Sequence, residues 1–211
     1  VVRFTGKELP KNPTIHIPKD MPGCPKRPFS DQTYVISRER EVQNVVVQIA
    51  DIKKGTFFPE KRTRLNNVDC MFVPRVSIGF KGGQVELMNS DYTLHNVHPY
   101  LKQRTLFNVA LPQRNKIVAR KLEDEGVLKI ACDMHAWMRG YIYVVDHPYA
   151  VVTNGDGEFF LWDVPPGQYH VEAFHEAFGT LKTIVDVTTD KTTEIEFAYP
   201  SGEKASIASG L

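Results

Sequence analysis

The chain has 211 residues, with 26 Lys plus Arg set against 25 Asp plus Glu and a net charge of +1. That balance excludes a nucleic-acid arm, a polybasic membrane patch and an acidic tail. Hydrophobic residues at 42% and aromatics at 10% exclude wholesale disorder, and no apolar run reaches the roughly 18–20 residues of a membrane-spanning helix. The length suits one large domain or two small ones, since domains cluster near about 100–150 residues. No charged start followed by an apolar run opens the chain, which fits either a protein without an export signal or one whose signal is cut before Val1.

Taken in order, Leu9 to Phe29 is rich in proline and predicts a surface segment with short strand pieces such as Thr14 to Ile17. Apolar residues then recur at period two, the signal of half-buried strands. Strands are predicted at 42–49, at 73–80 with an edge or bulge at Pro74, and at 85–88, 105–110, 115–120, 127–132 and 141–145. Beyond Pro148 the same reading predicts strands at 150–153, 158–162, 169–174, 183–187 and 192–197. Turn signals such as Lys81-Gly82-Gly83, Asn154-Gly155-Asp156-Gly157 and Pro165-Pro166-Gly167 punctuate them. No segment carries a long amphipathic helical pattern, so the expectation is an all-β protein of sandwich or barrel type. A boundary is expected around Asp146-His147-Pro148, where His- and Met-bearing strands give way to a compact meander. The predicted parts are residues 1–147 with a Pro-rich N-terminal extension, a small β-module at 148–199, and a flexible tail at 200–211. Three cysteines, Cys24, Cys70 and Cys132, read either as one disulfide plus one working thiol or as three unrelated thiols.

One constellation carries chemistry. Cys132-Asp133-Met134-His135-Ala136-Trp137-Met138 is Cys-x2-His-x2-Met at the end of a predicted strand, and His95-Asn96 follows another. Soft thiolate and thioether donors combined with imidazoles select copper. Two histidines and a cysteine with a long axial methionine make an electron-transfer copper site. The tight loop presents Cys132, His135 and Met138 to one ion, and His95 supplies the fourth ligand from a distant strand end. Asn96 is placed to hydrogen-bond to the cysteine-bearing loop and tune the sulfur.

Cys132 to Gly140 resembles the ligand loop of cupredoxins, at the short loop length of amicyanin. His95-Asn96-Val97 resembles the ligand strand of amicyanin and plastocyanin. Further features, Cys70 to Pro74, Asn89-Ser90-Asp91, His95 to His98, Asp146-His147-Pro148 and Phe174-His175-Glu176, are similar to a group of bacterial plastocyanin-like or methylamine-utilisation-like secreted proteins. The resemblance spans about Val2 to Phe197. It implies a cupredoxin Greek-key β-sandwich over 1–147, export to the periplasm or cell exterior, a single type 1 copper ion and electron transfer. In the same pattern Cys24 and Cys70 pair as a structural disulfide, leaving Cys132 for metal. Closing that loop adds about 3–4 kcal/mol by chain-entropy reasoning.

From Pro148 onward, Val152 to Phe159 and Asp163 to Tyr169 resemble carboxypeptidase-regulatory-like or transthyretin-like β-sandwich modules. Val2 to Gly6 is a candidate strand of that module, which would make the copper domain an insertion in it. His98, His147 and His175 either ring the copper site, build a second metal site or are hydrogen-bonded structural residues; His16 and His170 are read as ordinary. Met138 as axial ligand closes the coordination position that catalysis would need, so the protein is expected not to be an enzyme. The expected function is a single-electron carrier with an electron port of Trp137, Ala136 and Met134 around a partly exposed His135. A c-type cytochrome or a membrane respiratory complex is the expected partner. The alternative is a structural or assembly subunit of a larger complex whose copper domain holds metal or is vestigial.

Overall fold

A computed structural model describes residues 1–19, 21–52 and 61–200. The predicted tail falls, apart from Pro200, outside the described residues. Every helix or strand assigned among the described residues is a strand, so the fold is all-β, as expected. In chain order these are β1 (Val2–Phe4), β2 (Thr14–Ile15), β3 (Phe29–Ser30), β4 (Val46–Ile49), β5 (Arg62–Val68) and β6 (Met71–Val73). They continue as β7 (Val76–Phe80), β8 (Gln84–Asn89), β9 (His95–Leu101), β10 (Arg104–Thr105), β11 (Val109–Leu111) and β12 (Val118–Lys121). The last are β13 (Gly126–Ala131), β14 (Arg139–Val145), β15 (Ala150–Val152), β16 (Gly167–His175), β17 (Gly179–Val187) and β18 (Phe197–Tyr199).

The chain divides into two compact units, and their bounds correct the expected ones. Among the described residues, a terminal unit takes Val1–Asn12, Gln32 to Ile52 and His147 to Pro200, and a central unit takes Pro13–Asp31 and Lys61 to Asp146. Residues 1–12 and 32–52 therefore leave the expected domain 1–147 and join the strands that follow His147. The reason is pairing: β4 lies between β15 and β16, with Val47 opposite both Val151 and Ala173. Period-two patterning marks β4 as a buried strand but carries no information about its neighbours. Val2 to Phe4 is likewise a strand of the terminal unit, paired in parallel with β18.

The central unit is a β-sandwich. One sheet runs β10-β9-β13-β14-β7 with β11 also on β9, and the other runs β12-β8-β5-β6. Leu65, Phe72, Val85 and Leu87 from the second sheet and Val97, Leu128, Ile130 and Ile142 from the first share one buried cluster. Each such side chain contributes roughly 1.5–3 kcal/mol by leaving water. The Pro-rich segment pairs with itself at β2–β3, and it is attached to the sandwich by Ile17 and Met21 against that cluster and by a Cys24–Cys70 disulfide. Cys132 is the free, buried cysteine.

In the terminal unit the sheet β15-β4-β16-β17 and the β1–β18 pair enclose a second cluster that includes Val2, Phe4, Val47, Ala173 and Tyr199. The strand expected at 158–162 does not form, and the one expected at 192–197 is replaced by β18, which starts at Phe197. The strand expected at 73–80 is interrupted at Pro74, which has no N–H for a ladder and whose peptide with Val73 is cis.

Candidate metal centre

Three side chains converge at one end of the central sandwich. His95 opens β9 and is fully buried, because Leu111 of β11 pairs with it on one side. Cys132 follows β13 directly, and β14 begins at Arg139, so the intervening residues form a short return. Met138 N–H donates to the His135 carbonyl at 2.9 Å, which closes that return into a tight turn, and His135 is 2% exposed.

Cys132 Sγ lies 3.5 Å from His135 Nδ1 and 3.9 Å from His95 Nδ1. All three donor atoms fall within 4.8 Å of one another. A first-row ion binds imidazole nitrogen at about 2.0 Å and thiolate sulfur at about 2.3 Å. Donors spread around such an ion stand well over 3 Å apart, so the three residues fit a soft transition metal. Met138 is buried in the sandwich cluster directly after this turn.

Each neighbour of the triad has a defined task. Asn96 Oδ1 accepts the Asp133 N–H at 2.7 Å and faces Cys132 Sγ at 3.2 Å, while its Nδ2 donates to Asp133 Oδ2 and Asn108 Oδ1. This side chain bolts β9 to the cysteine turn. His98 lies outside the triad: it is engaged by Asp133 Oδ1 at 2.9 Å, the Tyr100 hydroxyl and Thr105. His147 and His175 belong to the terminal unit, where their Nδ1 atoms accept backbone N–H groups of Tyr149 and of Ala177 and Phe178. His16 is exposed, and His170 is exposed and paired with Asp51 at 2.8 Å.

The expected partly exposed imidazole is a correction. His135 is buried because its Nε2 points at Cys24 Sγ, 3.6 Å away, under the Pro-rich segment. Trp137 is half-buried, its ring 5.2 Å from that of His135 and its Nε1–H donating to the Cys70 carbonyl at 3.0 Å. Met134 and Ala136 are exposed.

Sequence reasoning assigned no role to Asp91. Its carboxylate accepts the Asp69 and Cys70 N–H groups at 2.8 and 2.9 Å and the His95 Nε2–H at 2.9 Å. The available signal was an acidic residue four positions before the candidate ligand His95. Its meaning depended on the β5–β6 turn, which sequence alone did not bring near.

The electrostatics suit a ligand set. Burial pushes the Asp91 carboxyl up, but hydrogen bonds from His95, Cys70 and Asp69 outweigh it and hold the group below the ordinary carboxylate value. Burial raises Cys132, yet its contact with His95 and backbone hydrogen bonds turn the net shift downward, toward thiolate. Burial lowers His95, whereas Asp91 and Cys132 outweigh it and raise the net value. Burial, aided by the charge of His95, pushes His135 down to about 4, so it is a neutral imidazole at pH 7.

No protein-family model matches the chain, and no curated protein does. Among solved structures, the purple cupredoxin from Nitrosopumilus maritimus is 22% identical, covers 39% of this chain and 98% of its own, and has a TM-score of 0.35. Amicyanin from Paracoccus versutus is 16% identical over 47% of this chain and 97% of its own, with a TM-score of 0.36. The copper-containing nitrite reductase from Thermus scotoductus is 18% identical over 47% of this chain and 25% of its own, with a TM-score of 0.35.

Proposed function

We propose that the chain is a type 1 copper protein that carries single electrons or serves as a redox subunit, with His95, Cys132, His135 and Met138 as ligands. The observation that carries this reading is the buried meeting of two imidazole Nδ1 atoms with one thiol sulfur at 3.5 and 3.9 Å. A bound copper ion would supply a one-electron couple there. The protein's own groups hold the donors still while the charge changes. Asn96 ties the turn to β9, Asp91 fixes the His95 ring, and burial keeps His135 neutral. Such outer contacts orient ligands and tune the metal.

Met138 as axial donor would complete the coordination and leave no position for a substrate, so the chain is read as a carrier rather than an enzyme. Electrons would pass by way of the half-buried Trp137 ring beside His135, at a surface that also presents Met134. A c-type cytochrome or a membrane respiratory complex is the partner class. Export to the periplasm or exterior is supported by the disulfide, which persists in oxidising compartments. Among the described residues, no helix is long and apolar enough to cross a membrane.

The test is metal analysis joined to an optical spectrum. Protein loaded with cupric ion should hold one copper per chain and show an intense visible thiolate-to-copper band. Uptake without that band, or a band that persists in Cys132→Ser, overturns the reading. A second reading, a structural subunit of a larger assembly, is favoured by Phe160 and Trp162, which stack at 5.8 Å and are 59% and 76% exposed. Rapid, reversible reduction by a c-type cytochrome would count against it.

A further inference from the structure

We infer that the Cys24–Cys70 disulfide is a positioning element of the metal centre, a latch that a dithiol can open, and not only a staple for the Pro-rich segment. The inference rests on the copper reading above.

The first route from the disulfide to the site runs through Cys24. Its sulfur stands 3.6 Å from His135 Nε2. A disulfide sulfur carries no proton and can only accept, so this contact favours the tautomer with its hydrogen on Nε2. Neutral imidazole carries one ring proton, and Nδ1 is left with a lone pair aimed at Cys132. The disulfide thus selects the tautomer that metal binding requires, and its segment keeps water from the ring.

The second runs through Cys70. Its N–H and that of Asp69 both donate into the Asp91 carboxylate, which in turn holds His95 Nε2. His95 is therefore set with its own Nδ1 toward the same thiol. The Cys70 carbonyl accepts the Trp137 indole N–H, and that ring leans on His135. One cystine reaches both imidazoles by separate routes.

The backbone at this point is shaped for that duty. Asp69 and Cys70 form the two-residue turn between β5 and β6, with Val68 opposite Met71, and both have positive φ, +52° and +56°. Turns of this kind favour Asn-Gly or Asp-Gly, because a side chain at positive φ costs about 1 kcal/mol or more. Cysteine at the glycine position costs stability locally, and what it gains there is the disulfide and the pair of N–H groups on Asp91. On the other side, Gly23 at φ +79° lies so close to the chain ahead of His95 that an added Cβ would meet Thr93 Cβ at 2.8 Å. The segment is fitted against the loop that leads to the ligand.

Opening the latch balances simply. A dithiol donates two electrons and two protons, the sulfur–sulfur bond breaks, Cys24 and Cys70 become thiols, and the dithiol leaves as its own disulfide. Of its attachments to the sandwich, the Pro-rich segment then keeps the Ile17 and Met21 contacts. Water reaches His135, and the Asp91–His95 arm loses its brace.

The experiment compares the full wild-type chain with the double variant Cys24→Ser/Cys70→Ser, each loaded with cupric ion, and reads the visible band and the rate at which a copper chelator strips the metal. Leu65→Ala, which destabilises the same sandwich from its core, is the control for a merely structural effect. The double variant should lose copper about tenfold to a hundredfold faster and show a displaced band, since outer contacts of metal ligands carry effects of that size. Leu65→Ala should leave band and rate unchanged. A folded double variant with the wild-type band and stripping rate overturns the inference, as does a Leu65→Ala variant that matches the double variant. Should the double variant fail to fold, wild type loaded with cobalt(II), which a dithiol does not reduce, decides the matter. Protein reduced with dithiothreitol, freed of the dithiol under nitrogen and then loaded with cobalt(II) should differ in spectrum and chelation rate from oxidised protein loaded the same way, and constancy overturns the inference. Failure of the copper reading is separately visible, as a wild type that takes up no metal or shows no thiolate band, and the inference falls with it.

Discussion

Each unit of this protein buries histidines, and two of them, His175 and His135, sit in opposite surroundings. His175, in the terminal unit, stacks on Phe178 at 4.5 Å, and its Nδ1 accepts the N–H groups of Ala177 and Phe178. That lone pair is consumed by the backbone. His135, in the central unit, has its outer nitrogen against a disulfide sulfur and its Nδ1 facing a thiol. Burial alone therefore does not make a histidine a candidate ligand. What separates the two is which ring nitrogen the surrounding chain occupies and which it leaves directed at another soft donor.

The contrast breaks most sharply at the sulfur. Cys132→Ser should remove the thiolate-to-copper band entirely, whereas His175→Leu should leave band and copper content intact. The latter should cost about 1–3 kcal/mol in urea unfolding, because two backbone N–H groups lose their acceptor. An altered spectrum in His175→Leu would erase the distinction.

Acid tests the same contrast in the metal-free protein. His135 titrates at about 4 in the fold, against 6.5 as a free side chain. Between those values the unfolded chain binds more protons, so stability rises with pH across the window and is lost as pH falls from 6.5 toward 4. The full effect is on the order of 3 kcal/mol. His95 is shifted the other way, so its contribution is complete below 6.5 and fades as pH rises through its higher folded value. Denaturant unfolding of wild type and His135→Ala at pH 6.5 and 4.5 should show the acid loss in the former and much less in the latter. Equal acid losses would assign the effect elsewhere.

Asp91→Asn keeps the shape of the arm behind His95 while removing its charge. Copper affinity in a competition titration should weaken about tenfold to a hundredfold. An unchanged affinity would reduce Asp91 to a turn residue. The smallest effect concerns salt. With a net charge of +1, electron exchange with a c-type cytochrome should vary by less than about twofold between low and physiological ionic strength. A steep salt dependence in stopped-flow measurements would point to a charged docking face instead.

Much of the fold was legible where the alternation is made of apolar residues. Gln84 to Asn89 and Gly126 to Ala131 are such cases, although strand ends moved by a few residues. Arg62–Val68 was missed because its inward positions include Thr63 and Asn67 among outward arginines. Asn67 is buried all the same, its amide donating to the Met88 carbonyl. Glu158 to Trp162 erred in the opposite direction. Its run of apolar residues looks like a strand, yet Phe160 and Trp162 face outward and, among the described residues, no strand pairs with it.

By itself the sequence determined that the chain is all-β, and it named Cys132, His135, Met138 and His95 as the candidate soft donors. These are properties of periodicity and of residue chemistry, which are local and need no partner. Only the tertiary structure decided that β4 belongs with the strands after His147, that Asp91 stands behind His95, and that a disulfide sulfur covers His135. Each of these is a meeting of segments distant in the chain. Such meetings are selected by backbone pairing and by the need to satisfy buried polar groups, and neither leaves a mark in the local pattern of residues.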